Sequence, residues 1–415
     1  MKKFHAYQCS ICHSIFQPED IFYTCPHDGG NMDVLLDYAE LKKNPLQQQM
    51  TTSRDFSIWR YVPILPVEDP GFAKTPLHSV GWTPVYESVP LNEETGLNQL
   101  WIKDDGRNPT ASFKDRASSV VVARAGEIHA DVVVTASTGN AGAALAGMAA
   151  ACGQKAVIFA PKTAPQAKIA QLLVFGAQVI LVDGNYDQAF DLSVKASQEF
   201  GWYCRNTGYN PFTAEGKKTA AFEIWEQILL PNSNLKRELS VFVSVGDGNI
   251  ISGIHKGFKD LKELGLIDYI PRIFGIQSEG SSAIANAYDA GTEEIEPVHA
   301  TTLADSISVD LPRDGLRALR AATQTGGAYV KVSDDQIIQA IAALGKVGIF
   351  AEPAGATAYA GVLQASVSGL IKPEDPVVCM ITGSGLKDIN AAMKAVPSAP
   401  VIEPSMRALK NILDI

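Results

Sequence analysis

Cysteine is scarce, six in 415 residues. That is too few for a disulfide framework, so the chain suits a reducing compartment or uses its thiols as metal ligands. Charged residues are also sparse, at 19% of the sequence, yet the 46% apolar share excludes wholesale disorder. An excess of basic charge is missing. With 45 acidic against 35 basic side chains the net charge is −10, a field that repels phosphate backbones and anionic surfaces, so neither nucleic acid nor a membrane is an expected partner. No leader is readable, because Met1-Lys2-Lys3 runs into Phe4, His5, Tyr7 and Gln8 without a sustained apolar stretch; a cytoplasmic protein is expected. Internal repeats and low-complexity tracts are missing as well.

One uncharged stretch, Val132 to Gln154, is long enough to satisfy a membrane hydropathy window. Its composition reads differently. A β-branched run breaks at Ser137-Thr138-Gly139-Asn140 and continues Ala- and Gly-rich, the pattern of strand, turn and buried helix.

Three cysteines, with His13 and His27 near them, crowd the first thirty-odd residues, followed by Gly29-Gly30 and the short run Val34-Leu35-Leu36, which marks a small separate module. Between residues 40 and 100, Pro63, Pro66, Pro70, Pro76, Pro84 and Pro90 discourage long helices. From Leu100 onward β-branched runs alternate with helical stretches: Val132–Thr135, 141–151, Ala156–Phe159, 165–175, Gln178–Val182 and Tyr186–Phe200. The pattern resumes with Val241–Val245, a helix from Ile250, Ile273–Ile276 and Val377–Ile381. Such alternation predicts an α/β fold with a parallel sheet. Three candidate loops, Ser137–Asn140, Gly246–Asn249 and Thr382–Gly385, each follow the C-terminal end of a strand, where open α/β sheets place ligands.

Within Asn108-Pro109-Thr110-Ala111-Ser112-Phe113-Lys114-Asp115-Arg116, Ser112 is expected to cap a helix whose first turn holds Lys114. An ammonium at a positive helix terminus is disfavoured, which suits Lys114 to act as a nucleophilic amine. The plain alternative is a surface lysine pairing with Asp115. Ser137-Thr138-Gly139-Asn140 offers N–H groups and hydroxyls to a carboxylate or phosphate, or is an ordinary capped turn. Gly246-Asp247-Gly248-Asn249 opens the next helix, with glycines that let the backbone approach a phosphate. A rival reading takes Gly246-x-Gly248, with Glu279 at the end of the next strand, as the dinucleotide fingerprint of an NAD-linked oxidoreductase; Gly253 comes late for that pattern. Further behind stands a binding module without catalysis.

Taken together, Ser-Phe-Lys-Asp-Arg around Lys114, Ser-Thr-Gly-Asn at 137 to 140, Asn210-Pro211-Phe212 followed by Glu215-Gly216-Lys217-Lys218-Thr219, and Thr382-Gly383-Ser384-Gly385-Leu386-Lys387-Asp388 closely resemble threonine synthases, within the tryptophan-synthase-β-like class of pyridoxal-phosphate enzymes. The resemblance runs from the cysteine module, through Ser57-Ile58-Trp59-Arg60-Tyr61, to about residue 390. It implies a two-domain fold with pyridoxal phosphate between the domains: an N-terminal zinc-ribbon-like module at 1–40, a large domain from 41–112 and 205–415, and a small α/β domain at 113–204.

By the same resemblance, Lys114 forms the internal aldimine beside Phe113, and Asn140 bonds the cofactor's phenolic oxygen. Gly246, Asp247, Gly248 and Asn249 cradle its phosphate, and Thr382 faces its pyridine nitrogen. Ser137, Thr138 and Gly139 hold the substrate carboxylate. The implied reaction turns O-phosphohomoserine and water into threonine and phosphate, in a homodimer. Three departures stand out. The phosphate loop is one residue short and carries Asp247, and Ala141 and Thr213 stand where the family has a threonine and an arginine that grip the substrate phosphate. Lys217 or Lys218 is the nearest replacement cation in sequence. The same departures suit a β-elimination or β-replacement enzyme acting on serine, threonine or a related amino acid.

Cys9-x-x-Cys12 and Cys25 have zinc-ribbon spacing, but His27 or Asp28 stands where a fourth cysteine is expected. A structural zinc site completed by Asp28, or by His27, and a ribbon that has lost its metal are equal readings.

Overall fold

The computed structural model describes residues 4–20 and 23–413; Met1 to Lys3, where the leader reading begins, lie outside the described residues. Strands β1 (Phe4–Cys9), β2 (Ile15–Phe16) and β3 (Met32–Leu36) form an antiparallel ribbon in the order β2-β1-β3. The ribbon lies against the main body. Phe4 meets the edge of Phe212 at 5.7 Å between ring centres, and Tyr23 stacks on Tyr209 at 4.5 Å. The Tyr23 hydroxyl also accepts from the Cys204 N–H at 2.8 Å.

A six-stranded sheet combines β4 (Val85–Glu87), β5 (Leu100–Asp104), β10 (Ser240–Ser244), β11 (Arg272–Ser278), β12 (Tyr329–Val332) and β13 (Val377–Ile381), ordered β12-β11-β10-β13-β5-β4. All neighbours are parallel except β4 with β5. Every residue of β5, β10 and β13 is buried, as expected for parallel strands covered on both faces. The second sheet is wholly parallel, ordered β8-β7-β6-β9, from β6 (Val132–Ala136), β7 (Lys155–Pro161), β8 (Gln178–Val182) and β9 (Tyr203–Cys204).

Local chemistry sets the element ends. The helix Tyr186–Phe200 begins at a reciprocal cap between Asn185 and Gln188 and stops at left-handed Gly201. Between residues 40 and 100 the longest helical pieces, Ile58–Ile64 and Val89–Thr95, have 7 residues each. The uncharged stretch at 132 to 154 resolves into β6 and the helix Asn140–Cys152. Among the described residues, no helix is long and apolar enough to cross a membrane.

Candidate active site

The loop after β5 leads into the helix Lys114–Glu127, whose first residue is Lys114. Ser112 Oγ accepts from the Lys114 N–H at 3.4 Å, while the residue at the cap position is Phe113, which makes no side-chain cap. The residues flanking Lys114 fix this helix end. Asp115 accepts from the Thr110 N–H at 2.6 Å, so it does not form the surface pair with Lys114. Arg116, fully buried, donates to Asp105 at 2.6 Å and to Glu223 at 2.9 Å, and Lys103 reaches Glu223 at 2.7 Å. Burial acts against ionised Glu223, but Arg116 and Lys103 outweigh it and hold the carboxyl down at about 2. This closed ion cluster ties β5, the Lys114 helix and the helix Thr219–Ile224 together.

Lys114 opens onto a cavity of about 640 Å³ between the six-stranded and the four-stranded sheet. The predicted loops converge there: Ser137, Thr138, Gly139 and Asn140 from β6, Gly246 to Asn249 from β10, and Thr382 from β13 all line it, as does Lys217. Burial, and after it the nearby Arg205 charge, lowers the Lys114 amine from 10.5 to about 8. The cause differs from the expected helix-end effect, but the consequence is the same in direction: a larger neutral fraction near neutral pH than an unshifted lysine has.

A family model for pyridoxal-phosphate-dependent enzymes matches residues 77–383. The chain belongs to that family. Its relatives include the threonine synthase of Methanocaldococcus jannaschii, 38% identical with 98% of both chains covered, and that of Methanosarcina acetivorans, 33% identical with 98% of both covered. Mycobacterium tuberculosis threonine synthase is 35% identical over 80% of this chain and 89% of its own. Among solved structures, threonine deaminase isoform 2 of Solanum lycopersicum has a TM-score of 0.66 at 24% identity, covering 78% of this chain and 86% of its own. Maize serine racemase gives 0.65 at 23%, covering 76% and 91%. This pyridoxal-phosphate enzyme is therefore a lyase with the fold of that class, which leaves the NAD-linked reading without support.

The residues present fit the cofactor. A primary amine of lowered proton affinity faces the cavity, and the helix Asn249–Glu263 points its N-terminus at it, a natural seat for a phosphate. Thr382 presents a hydroxyl 3.4 Å from Ser244 Oγ, and its carbonyl accepts from the Phe113 N–H at 2.8 Å. Phe113 itself lies outside the cavity wall, under the Arg116 guanidinium at 5.3 Å.

Packing bears on the two glycines of the loop after β10. A Cβ on Gly246 would stand 2.7 Å from Ile307 Cα, and Gly248, at φ +89, would meet Ala318 and Asp314 at 2.7 Å. Protein packing already demands both. Asp247 lines the cavity with Oδ1 accepting from the Arg313 N–H at 3.3 Å, and the Asn249 side chain is occupied by Asp314 at 2.6 Å and Thr213 at 3.1 Å. Among the described residues, the Asn249 side chain is thus taken up by protein partners and its backbone N–H is left for an anion.

The two candidate lysines part company. Lys217 donates to Asn249 Oδ1 at the cavity wall, but Lys218 turns away and donates to Asp260 at 2.8 Å in a buried cluster with Glu215 and Lys256. Thr213 stands behind the wall, bonded to Asn210 O and Asn249 Oδ1. Sequence reasoning passed over Glu352, which accepts from Asn140, and Arg205, just beyond β9. A lone acid before Pro353 and a lone arginine after a two-residue strand carry no motif that would single them out.

In the ribbon, Cys9, Cys12, Cys25 and Asp28 bring their ligand atoms within 4.8 Å of one another. Cys12 and Cys25 Sγ are 3.7 Å apart, close to the ~3.8 Å between thiolates at 2.3 Å from a tetrahedral zinc. Asp28 stands 3.3 Å from Cys9 and is oriented by the Gly30 N–H at 2.8 Å. His27 faces Ser14 at 3.4 Å and is not among the clustered groups.

Proposed function

We propose that the chain is a threonine synthase, converting O-phosphohomoserine and water to threonine and inorganic phosphate. The observation that carries this reading is that the likeness to threonine synthases extends over almost the whole chain, ribbon included. Pyridoxal phosphate, when bound, supplies an electron sink for the pair left at the substrate Cα. Lys114 Nζ takes the Cα proton and holds it. The N–H groups and hydroxyls of Ser137 to Gly139, ahead of the helix Asn140–Cys152, bind the substrate carboxylate. Thr382 offers a neutral hydroxyl to the pyridine nitrogen, so no full pyridinium is held. Phosphate leaves Cγ with the C–O electron pair as a Cβ proton is removed; Cγ takes up a proton, water adds its hydroxyl at Cβ and gives its other proton to the phosphate, and Lys114 returns its proton to Cα. We read the ribbon cluster as a structural zinc site and the enzyme as a homodimer.

Ala141 and Thr213 favour a second reading, β-elimination or β-replacement on an unphosphorylated amino acid, because neither presents a phosphate donor to the cavity. The test is to give the holoenzyme O-phosphohomoserine, serine and threonine separately and to follow phosphate, threonine, ammonia and 2-oxoacid. Matched release of phosphate and threonine is expected. Ammonia and 2-oxoacid from serine or threonine, with O-phosphohomoserine inert, would replace the first reading by the second.

A further inference from the structure

Arg205 leaves β9 with its N–H bonded to Val134 O at 2.7 Å, which fixes it at the C-terminal edge of the small sheet. Its side chain has 0% exposure and stands at the cavity wall. Nε donates to Ser118 Oγ at 3.3 Å and Nη1 to Thr207 Oγ1 at 2.7 Å, both neutral hydroxyls. Nη2 is buried and has no hydrogen-bond partner among the described residues.

This departs from the other buried arginines. Arg60 is paired with Glu226, Arg116 with Asp105 and Glu223, and Arg317 with Asp314. The carboxylates around the cavity are engaged elsewhere: Asp247 by the Arg313 N–H, Glu352 by Asn140, Asp187 by the Arg313 side chain, Asp305 by Lys168 and Asp310 by the Ala300 N–H. A buried guanidinium without a counter-ion is an expensive arrangement that a bound anion relieves. Lys114 and Lys217 line the same cavity, and burial followed by the Lys114 and Arg205 charges pushes Lys217 well below its usual range.

We propose that Arg205 binds the phosphate of a phosphorylated amino-acid substrate in this enzyme, in place of an arginine at position 213. Planar, multiply donating guanidinium is suited to a phosphate dianion, and Nη2 is the donor left free for it. Arg205 projects from the small sheet, the side that carries Ser137 to Gly139, whereas Gly246 to Asn249 belong to the large sheet. The substrate phosphate and the cofactor phosphate are thereby assigned to opposite walls. The assignment deepens the threonine-synthase reading and rests on it for the identity of the substrate, but not for the anion site.

The test uses holoenzyme, Arg205→Met and Arg205→Lys, with inorganic phosphate against chloride at matched ionic strength as the probe and thermal stability as the readout. Phosphate should stabilise the parent, and Arg205→Met should weaken phosphate binding by roughly 10- to 100-fold, as expected for one lost charge-assisted contact. Arg205→Lys should fall between them. Affinity for pyridoxal phosphate, followed by its visible absorption, should stay within about 3-fold in both variants and reports whether each is folded. No phosphate effect on the parent, or phosphate binding undiminished in Arg205→Met, overturns the site. Equal loss of pyridoxal phosphate in both variants reassigns Arg205 to the cofactor and also overturns it. Failure of the function is separate: O-phosphohomoserine yielding no threonine while the phosphate effect is lost in Arg205→Met removes the threonine-synthase reading and leaves the anion site standing.

Discussion

Asn140 donates its side-chain amide to Glu352 Oε1 at 2.8 Å, joining the helix that follows β6 to the start of the helix Pro353–Val367 across the cavity. Both side chains are buried, and burial raises the Glu352 carboxyl above its ordinary range while Asn140 acts to lower it. Glu352→Ala removes the charged acceptor and leaves the buried amide only Ser306 Oγ at 3.5 Å, a loss of ~1.5–3 kcal/mol. Pyridoxal-phosphate affinity should fall roughly 10- to 100-fold. Glu352→Gln, whose amide oxygen still accepts, should lose much less. Equal behaviour of the two in a spectroscopic titration would separate Asn140 orientation from cofactor binding.

Lys114→Ala should abolish the link between protein and pyridoxal phosphate that borohydride reduction makes permanent, while leaving the fold intact, since only a primary amine forms it. Peptide mapping that finds the label on Lys217 would defeat this assignment.

The same lysine sets a pH dependence. Its proton affinity is lowered from 10.5 to about 8, chiefly by burial. The neutral amine is the attacking form, so the rate of cofactor attachment to cofactor-free protein should rise with a midpoint near pH 8. The sign for stability follows from the same shift: the folded chain resists protonation that the unfolded chain accepts. Cofactor-free protein should therefore lose stability as pH falls from above 10 through about 8. Stopped-flow absorbance and urea titrations at several pH values check both.

Thr382→Ala should slow turnover without expelling the cofactor. The contact that holds the Lys114 loop to this strand runs from the Phe113 N–H to the Thr382 carbonyl and survives truncation of the side chain. Complete loss of bound pyridoxal phosphate would contradict that division.

Lys218→Met should destabilise the protein by ~3–5 kcal/mol, because Asp260 and Glu215 lose a fully buried partner. Its effect on the KM for a phosphorylated substrate should stay within about 2-fold, since the side chain does not reach the cavity. A KM change larger than that produced by Lys217→Met would reverse the two assignments.

Elemental analysis of protein purified without added metal should find about one zinc per chain. Asp28→Ala should lower that content and His27→Ala should not. The ribbon buttresses Cys204 to Phe212 through Tyr23 and Phe4, so zinc loss should also weaken phosphate binding at Arg205. A chain with no zinc, and a melting temperature unmoved by Cys9→Ser, points to a ribbon held by packing alone.

The alternation of β-branched runs and helical stretches determined the parallel sheets, and Tyr186–Phe200 even had its ends written locally, in Asn185, Gln188 and Gly201. The loops after β6, β10 and β13 were legible for the same reason: strand ends and turn residues are local, and parallel strands bring those ends to one side. Side-chain direction was not. Adjacent Lys217 and Lys218 are indistinguishable in sequence, yet consecutive helical positions point about 100° apart, so one meets the cavity and the other a buried carboxylate cluster. Arg205 and Glu352 acquire their meaning only from partners brought together by the fold, one by lacking a counter-ion and the other by holding Asn140. The sequence by itself determined which segments become strands, helices and ligand-facing loops, because hydrophobic period and turn chemistry act over a few residues. Tertiary structure alone decided which charges are paired, since pairing depends on distances between segments far apart in the chain.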